Sequence, residues 1–260
     1  MKLAATIILF MATSVSAAEL VFPRHTVEGD ARQLYGENLL QKIVAGTDFS
    51  VRTSDWPMTR ARMELELQTG ERINIMLLPE RPDYDAAYLK IPVSVDNGLI
   101  GQRVALVASE RDPFANVTDL AEVADLVGCT NPSWTVTRWY ELSGFKLKQL
   151  PVYDNLFVYT ERGACDYFSR SVLEVEQELK QQQEKGRQLR IDSHVLLQVP
   201  ISQYYYISPN AEALVAPLTQ VVSQAKASGV VDRFLTRYTE SIFDQISLEN
   251  RRIIELNSLD

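Results

Sequence analysis

The sequence predicts an α/β protein of two lobes in series, and three observations lead there. Short apolar runs alternate with helix-like stretches, the pattern of a sheet flanked by helices. Residues 73–78 form a nearly continuous apolar run, as a strand does when helices cover both faces of its sheet. After the breaker pair Asp112-Pro113 the alternation starts again, so a second unit is expected.

From the N-terminus, residues 1–18 read as a cleavable secretory signal. Lys2 supplies positive charge, and residues 3–11 form an apolar stretch too short to span a bilayer. Val15-Ser16-Ala17 or Ser16-Ala17-Ala18 then offers a small-x-small cleavage site. No Cys follows that region and no later run is long and apolar enough for a membrane helix, so a mature chain free in the exported compartment is expected. Residues 20–22 read as a strand ended by Pro23. Residues 31–45 carry Leu34, Leu39, Leu40, Ile43 and Val44 at helical spacing, and Gly46 stops them. A short strand at 49–52 and a helix at 59–68, ended by Gly70, lead into strand 73–78; residues 99–107 form another long strand.

In the second unit, Thr118-Asp119-Leu120 opens a short helix before a strand at 126–129. A helix at 135–142 closes at Gly144, followed by strand 149–153, helix 156–162 and strand 165–168. Ser171 and Glu174 match a Ser-x-x-Glu capping box for a helix running to Glu184, with Gly186 at its end. Strand 204–207 and helices at 210–228 and 230–238 complete the chain, and this tail is expected to pack back onto one of the first two units. Connections near 108–113 and 198–203 would leave a cleft between the units, where small ligands usually bind.

Composition narrows the function. With 34 acidic against 26 basic residues and a formal charge of -8, the chain has no footprint for nucleic acid or an anionic membrane surface. Cys129 and Cys165 are the only cysteines; a bridge between them and two separate buried thiols both remain open. His25 and His194 are the only histidines, far apart, with no HExxH or Cys-x-x-Cys spacing. There is no G-x-S-x-G elbow and no Gly-rich phosphate loop, so an enzyme is the weakest reading, and no metal or cofactor is expected.

Several stretches together resemble the periplasmic solute-binding proteins of the amino-acid type, bacterial extracellular solute-binding protein family 3. Tyr204 to Leu214 (YYYISPNAEAL), continuing through Ala227 to Phe234 (ASGVVDRF) and Tyr238, is similar to the family's strand, helix start and helix ending. A divergent stand-alone subgroup is suggested by Met58-Thr59-Arg60-Ala61-Arg62, Gly101-Gln102-Arg103, Asp166-Tyr167-Phe168-Ser169-Arg170 and the run Arg251 to Leu256. The resemblance covers nearly the whole mature chain. It implies a type II two-lobe periplasmic binding protein fold, with residues 19–108 plus 204–260 in lobe one, 109–203 in lobe two, and a hinge that closes them over a ligand. It further implies a monomer in the periplasm that binds a small solute, an amino acid or another carboxylate-bearing or anionic compound, for an ABC permease. A sensing module that reports to a membrane receptor is the alternative.

The resemblance places Arg81 where the family holds the arginine that clamps a ligand carboxylate, a task suited to a planar fork of donors. Residues 131–135 fall at the turn before a helix in lobe two, where backbone N–H groups favour an anion and Ser133 or Thr135 adds a hydroxyl. Trp134 is a candidate to stack on the ligand. Arg170 stands near the point where amino-acid binders carry an Asp for the ligand ammonium; facing the cleft it would favour an anion, whereas turned away it would pair with Asp166 or Glu174. Arg24, at a strand end, Arg62 and Arg103, in the subgroup motifs, and Trp56, in a loop before Pro57, are further candidates. The run Tyr204-Tyr205-Tyr206 reads as core, since alternation lets only one face of a strand meet the cleft.

Overall fold

The computed structural model describes residues 17–26 and 31–256, and the expected signal therefore lies almost wholly outside the described residues. The first half of the chain runs β1 (Ala18–His25), α1 (Ala31–Val44), β2 (Phe49–Met58), α2 (Arg60–Thr69), β3 (Ile75–Pro79), α3 (Pro82–Ala87) and β4 (Leu89–Lys90). β5 (Gln102–Ala108), α4 (Leu120–Asp125), β6 (Val127–Thr130), α5 (Thr135–Leu142), β7 (Lys146–Gln149) and α6 (Tyr153–Glu161) follow. Then come β8 (Tyr167–Ser171), α7 (Val175–Glu184), β9 (Leu189–Ile191), β10 (Val195–Gln198) and β11 (Gln203–Ile207). The chain ends with α8 (Val215–Ala227), α9 (Val230–Ile246) and β12 (Arg252–Glu255).

These strands make two layers. In the first, β1 pairs parallel with β2, and β11 runs antiparallel between β3 and β4. Asn74 stitches the two pieces: its side chain accepts from the Val21 N–H (2.8 Å) and donates to the Glu19 carbonyl (2.9 Å). β3 is buried along almost its whole length, as its unbroken apolar sequence demands. The second layer has the order β12-β10-β5-β8-β6-β7, with β9 also on β5. Helix α1 packs on β1 and β2, and α8 and α9 pack on α1 and on each other; α9 presents Val231, Leu235, Thr239, Ile242 and Ile246 as its buried stripe.

Two expectations about the lobes are corrected by strand pairing. β5, expected to finish lobe one, pairs with β8, β9 and β10 and so belongs to the second sheet. Its continuous apolar character told that it is buried, not which sheet would bury it. The chain therefore changes sheets ahead of Gln102, not near 108–113, and returns through residues 199–202. At the C-terminus, β12 leaves the first layer altogether and pairs parallel with β10. The capping box also fails: Ser171 still belongs to β8, and its hydroxyl donates to the Leu99 carbonyl (3.1 Å) and accepts from the Leu173 N–H (3.2 Å). The expected strand at 149–153 sits earlier, at 146–149, and Tyr153 opens α6.

The two crossings are locked side by side. The buried Asp96 carboxylate accepts from the N–H groups of Gly98 (3.3 Å) and Ile100 (3.0 Å) on one crossing and of Gln203 (3.0 Å) beyond the other. Burial pushes this carboxyl above its ordinary value, against the four donors that favour its ionised form. Gly101 packs so tightly that a Cβ there would lie 2.0 Å from the Val199 carbonyl oxygen, while the Val199 N–H donates to the Gly101 carbonyl (2.9 Å). In the second unit a disulfide joins Cys129 of β6 to Cys165 just before β8, spanning 36 residues. Tyr205 and Tyr206 are fully buried, donating to the Gly36 carbonyl (2.9 Å) and Asp85 (2.7 Å), which agrees with the core reading of the tyrosine run.

Candidate functional site

A cavity of about 630 Å³ opens between the two layers, within the range of small-molecule sites. One wall comes from the first unit, through the end of β1, the start of α2, β3 and Tyr84 of α3. The opposite wall comes from the second, through the turn Asn131–Val136, Tyr153, Arg170 and Glu174. Ile100, Arg103, Ile201 and Gln203 line it from the crossing segments and the first residues of β5 and β11.

The turn before α5 is shaped by Asn131. Its side-chain oxygen accepts from the Ser133 N–H (2.9 Å) and hydroxyl (2.7 Å), while its amide donates to the Pro151 carbonyl (3.0 Å). That geometry presents Ser133, Trp134 and Thr135, all three expected at the site, to the cavity. Trp134 stacks on Phe168 with ring centroids 5.9 Å apart and meets Tyr153 edge-on at 6.2 Å, so one aromatic wall is held rigid. Among the described residues, the Thr135 hydroxyl is buried without a hydrogen-bond partner, and so is the side-chain oxygen of Gln203. Both residues line the cavity, and a ligand offering hydrogen bonds would satisfy them.

Arg170 lines the cavity too, but it is not a bare cation. Its Nε and Nη2 donate to the two Glu178 oxygens (2.5 and 2.6 Å), and Glu174 lies 2.7 Å from Nη2. Burial would lower its pKa, but the charges of Glu174 and Glu178 hold it well above the ordinary value. The guanidinium lies 4.7 Å from the Trp134 ring centroid. The structure therefore combines the two alternatives for Arg170, cleft-facing and paired, with Glu178 as a partner the sequence did not suggest. Asp166 instead accepts from Arg111 (2.9 Å) and the Val127 N–H (2.8 Å).

Arg81 stands at the rim, outside the cavity lining. It grips Asp83 with two parallel bonds (2.5 and 2.6 Å) and reaches across to the Ser133 carbonyl of the other unit (3.1 Å). Its guanidinium lies 3.9 Å from the centroid of Tyr84. Burial opposes its charge, but the Asp83 hydrogen bond and charge win and raise its pKa.

Arg24 and Trp56 are not brought to the cavity. Arg24 is exposed and Trp56, 60% exposed, belongs to β2 and not to a loop; neither lines the cavity. Arg72 lies over the Trp56 ring at 5.4 Å. Arg62 turns along its helix to Glu66. Residues that sequence reasoning passed over include Arg60, Glu64 and Tyr84, a closed polar triangle in which Arg60 donates to Glu64 (2.7 Å) and to the Tyr84 hydroxyl (3.0 Å). The Tyr84 hydroxyl in turn donates to Glu64 (2.8 Å). Only the Met58–Arg62 stretch hinted at it.

Away from the cavity, Asp112, Asp192 and His194 converge, but Asp192 accepts from the His194 and Val195 N–H groups and Asp112 pairs with Arg190. Among the described residues no helix is long and apolar enough to cross a membrane.

No family model matches the chain, and no curated protein matches it. Solved structures match in fold. An ancestral arginine-binding protein bound to arginine superposes with a TM-score of 0.60 at 13% identity, covering 86% of this chain and 99% of that one. The probable amino-acid ABC transporter extracellular-binding protein YtmK from Bacillus subtilis gives 0.62 at 11% identity, covering 85% and 97%. A histidine kinase sensor domain with similarity to periplasmic binding proteins gives 0.59 at 12% identity, covering 86% and 96%. The fold is that of the periplasmic binding proteins.

Proposed function

We propose that this chain is an exported periplasmic binding protein that captures a small polar solute, an amino acid or another carboxylate-bearing compound, and hands it to an ABC permease. The observation that carries the reading is the cavity walled by both units and bridged at its rim by Arg81 and Ser133. A ligand that touches both walls stabilises the closed arrangement by its differential contacts with it. Trp134 supplies the apolar wall, and the Thr135 hydroxyl at the first turn of α5 supplies a donor beside a helix end that favours negative charge. Arg81 acts as a latch between the units, its fork already filled by Asp83. Export accords with the Cys129–Cys165 bridge, since disulfides persist in oxidising compartments. We assign no catalytic step.

A thermal-shift screen of amino acids and dicarboxylates tests this, because a ligand of the folded state raises its melting temperature. Small-angle scattering with the responding compound should show contraction. A folded protein that answers to none of these compounds would end the proposal. The likeness to a kinase sensor domain supports a second reading, ligand sensing. Stimulation of a permease ATPase by the loaded protein favours transport; stimulation of a membrane kinase favours sensing.

A further inference from the structure

We infer that Arg103 is the anion receptor of the cavity, and that the solute must bring a negatively charged group, of carboxylate type, to serve as its counterion. The inference rests on the solute-binding reading above. Arg103 is 3% exposed and lines the cavity at the start of β5. Its three hydrogen bonds all go to neutral acceptors: Nε to the Ser169 hydroxyl, Nη2 to the Ser169 carbonyl and Nη1 to the Ile100 carbonyl, each 3.1 Å. A guanidinium carries five N–H donors, so Nη1 and Nη2 each keep one hydrogen without an acceptor among the described residues.

The neighbouring arginines are matched. Arg60 has Glu64, Arg81 has Asp83, and Arg170 has Glu174 and Glu178. Among the described residues Arg103 has no carboxylate partner, and a buried cation without one is costly. The fork is nevertheless held firmly: the Tyr140 hydroxyl sits 2.6 Å from the Ser169 hydroxyl that meets Nε. A rigid, buried, uncompensated guanidinium facing a cavity is suited to a ligand carboxylate. Through the Ile100 carbonyl the same group touches the crossing segment, so an anion seated on it engages the place where the units join.

The test compares carboxylates with their amides. Succinate, L-glutamate and their diamides, succinamide and L-glutaminamide, are titrated into the wild-type protein, R103M and R103Q, with circular dichroism to establish folding and calorimetry to read affinity. Wild type should prefer each carboxylate over its amide by at least about tenfold, and R103M and R103Q should lose at least that factor. Should neither variant fold, the wild-type preference decides alone. Equal affinity for carboxylate and amide, or a folded variant within about twofold of wild type on the same probe, overturns the assignment. A wild type that binds only the diamides, which carry no carboxylate, overturns Arg103 and leaves the solute-binding reading standing. Silence of all four probes overturns the assignment, while a response to some other compound of the wider screen would still uphold solute binding.

Discussion

Replacing Arg170 by Met would leave Glu174 and Glu178 side by side with the charge between them gone. Their side chains are 12% and 7% exposed, so neither can recover full hydration. The three links from the guanidinium to these carboxylates, at 2.5, 2.6 and 2.7 Å, are all charge-assisted, and methionine replaces only the apolar part of the packing against Trp134 and Phe168. Removing one partner of a buried ion pair costs about 3–5 kcal/mol. For a chain of this size each kcal/mol moves the melting temperature by about 2–4 °C, so R170M should melt roughly 6–20 °C below wild type. The combined variant R170M/E174Q/E178Q should recover most of the loss, because a neutral group has no charge to desolvate. Urea unfolding and calorimetry at neutral pH read these effects. An R170M protein within about 1 kcal/mol of wild type at neutral pH would refute the account.

Other expectations follow from the same geometry. Reducing the Cys129–Cys165 bridge releases a 36-residue loop and should lower stability by up to about 4 kcal/mol, seen as a shifted urea midpoint; a thiol assay on the denatured, unreduced protein should find no free thiol. Gly101→Ala sets a Cβ 2.0 Å from the Val199 carbonyl oxygen, and the backbone must move, at a cost of about 1–3 kcal/mol measurable by thermal unfolding. Burial would raise the Asp83 carboxyl, but Arg81 outweighs it and holds the group below its ordinary value of 3.8. The latch should therefore contribute stability above that value and lose it as the pH falls through the lowered folded one. Asp83→Asn should accordingly differ from wild type near neutrality and converge with it as the pH falls through the lowered folded value, in melting curves taken across pH.

Much of the fold was legible in the sequence because local signals and tertiary demands agreed. Gly70 ends α2 in a left-handed conformation, Asp119 caps α4 by accepting from the Glu122 N–H, and α5 occupies residues 135–142 as its spacing predicted. Short polar edge strands escaped notice: β9 and β12 carry Arg190, Arg252 and Glu255, and only their partners β5 and β10 make them strands. Sheet membership was illegible for a similar reason, since apolar periodicity reports burial and not partners. At the site, the turn at 131–135 was visible through its position between strand and helix. The fate of each arginine was not. Whether a guanidinium faces Asp83, Glu178 or two neutral carbonyls depends on neighbours that only folding brings together, and Arg81, Arg170 and Arg103 look alike in one dimension.

The pairing of β12 with β10 also bears on the order in which the molecule can be completed. Residues 102–198 supply every other strand of the second sheet, yet its outer edge waits for residues 252–255. Arg251, buried beside that strand, donates to the Ile246 carbonyl (2.6 Å) and the Val195 carbonyl (2.9 Å), fastening the end of α9 to β10. During synthesis the flank of β10 therefore stays open until residues 252–255 are delivered. A chain cut before residue 252 would expose unpaired strand backbone, inviting association with a second molecule in place of its own missing strand.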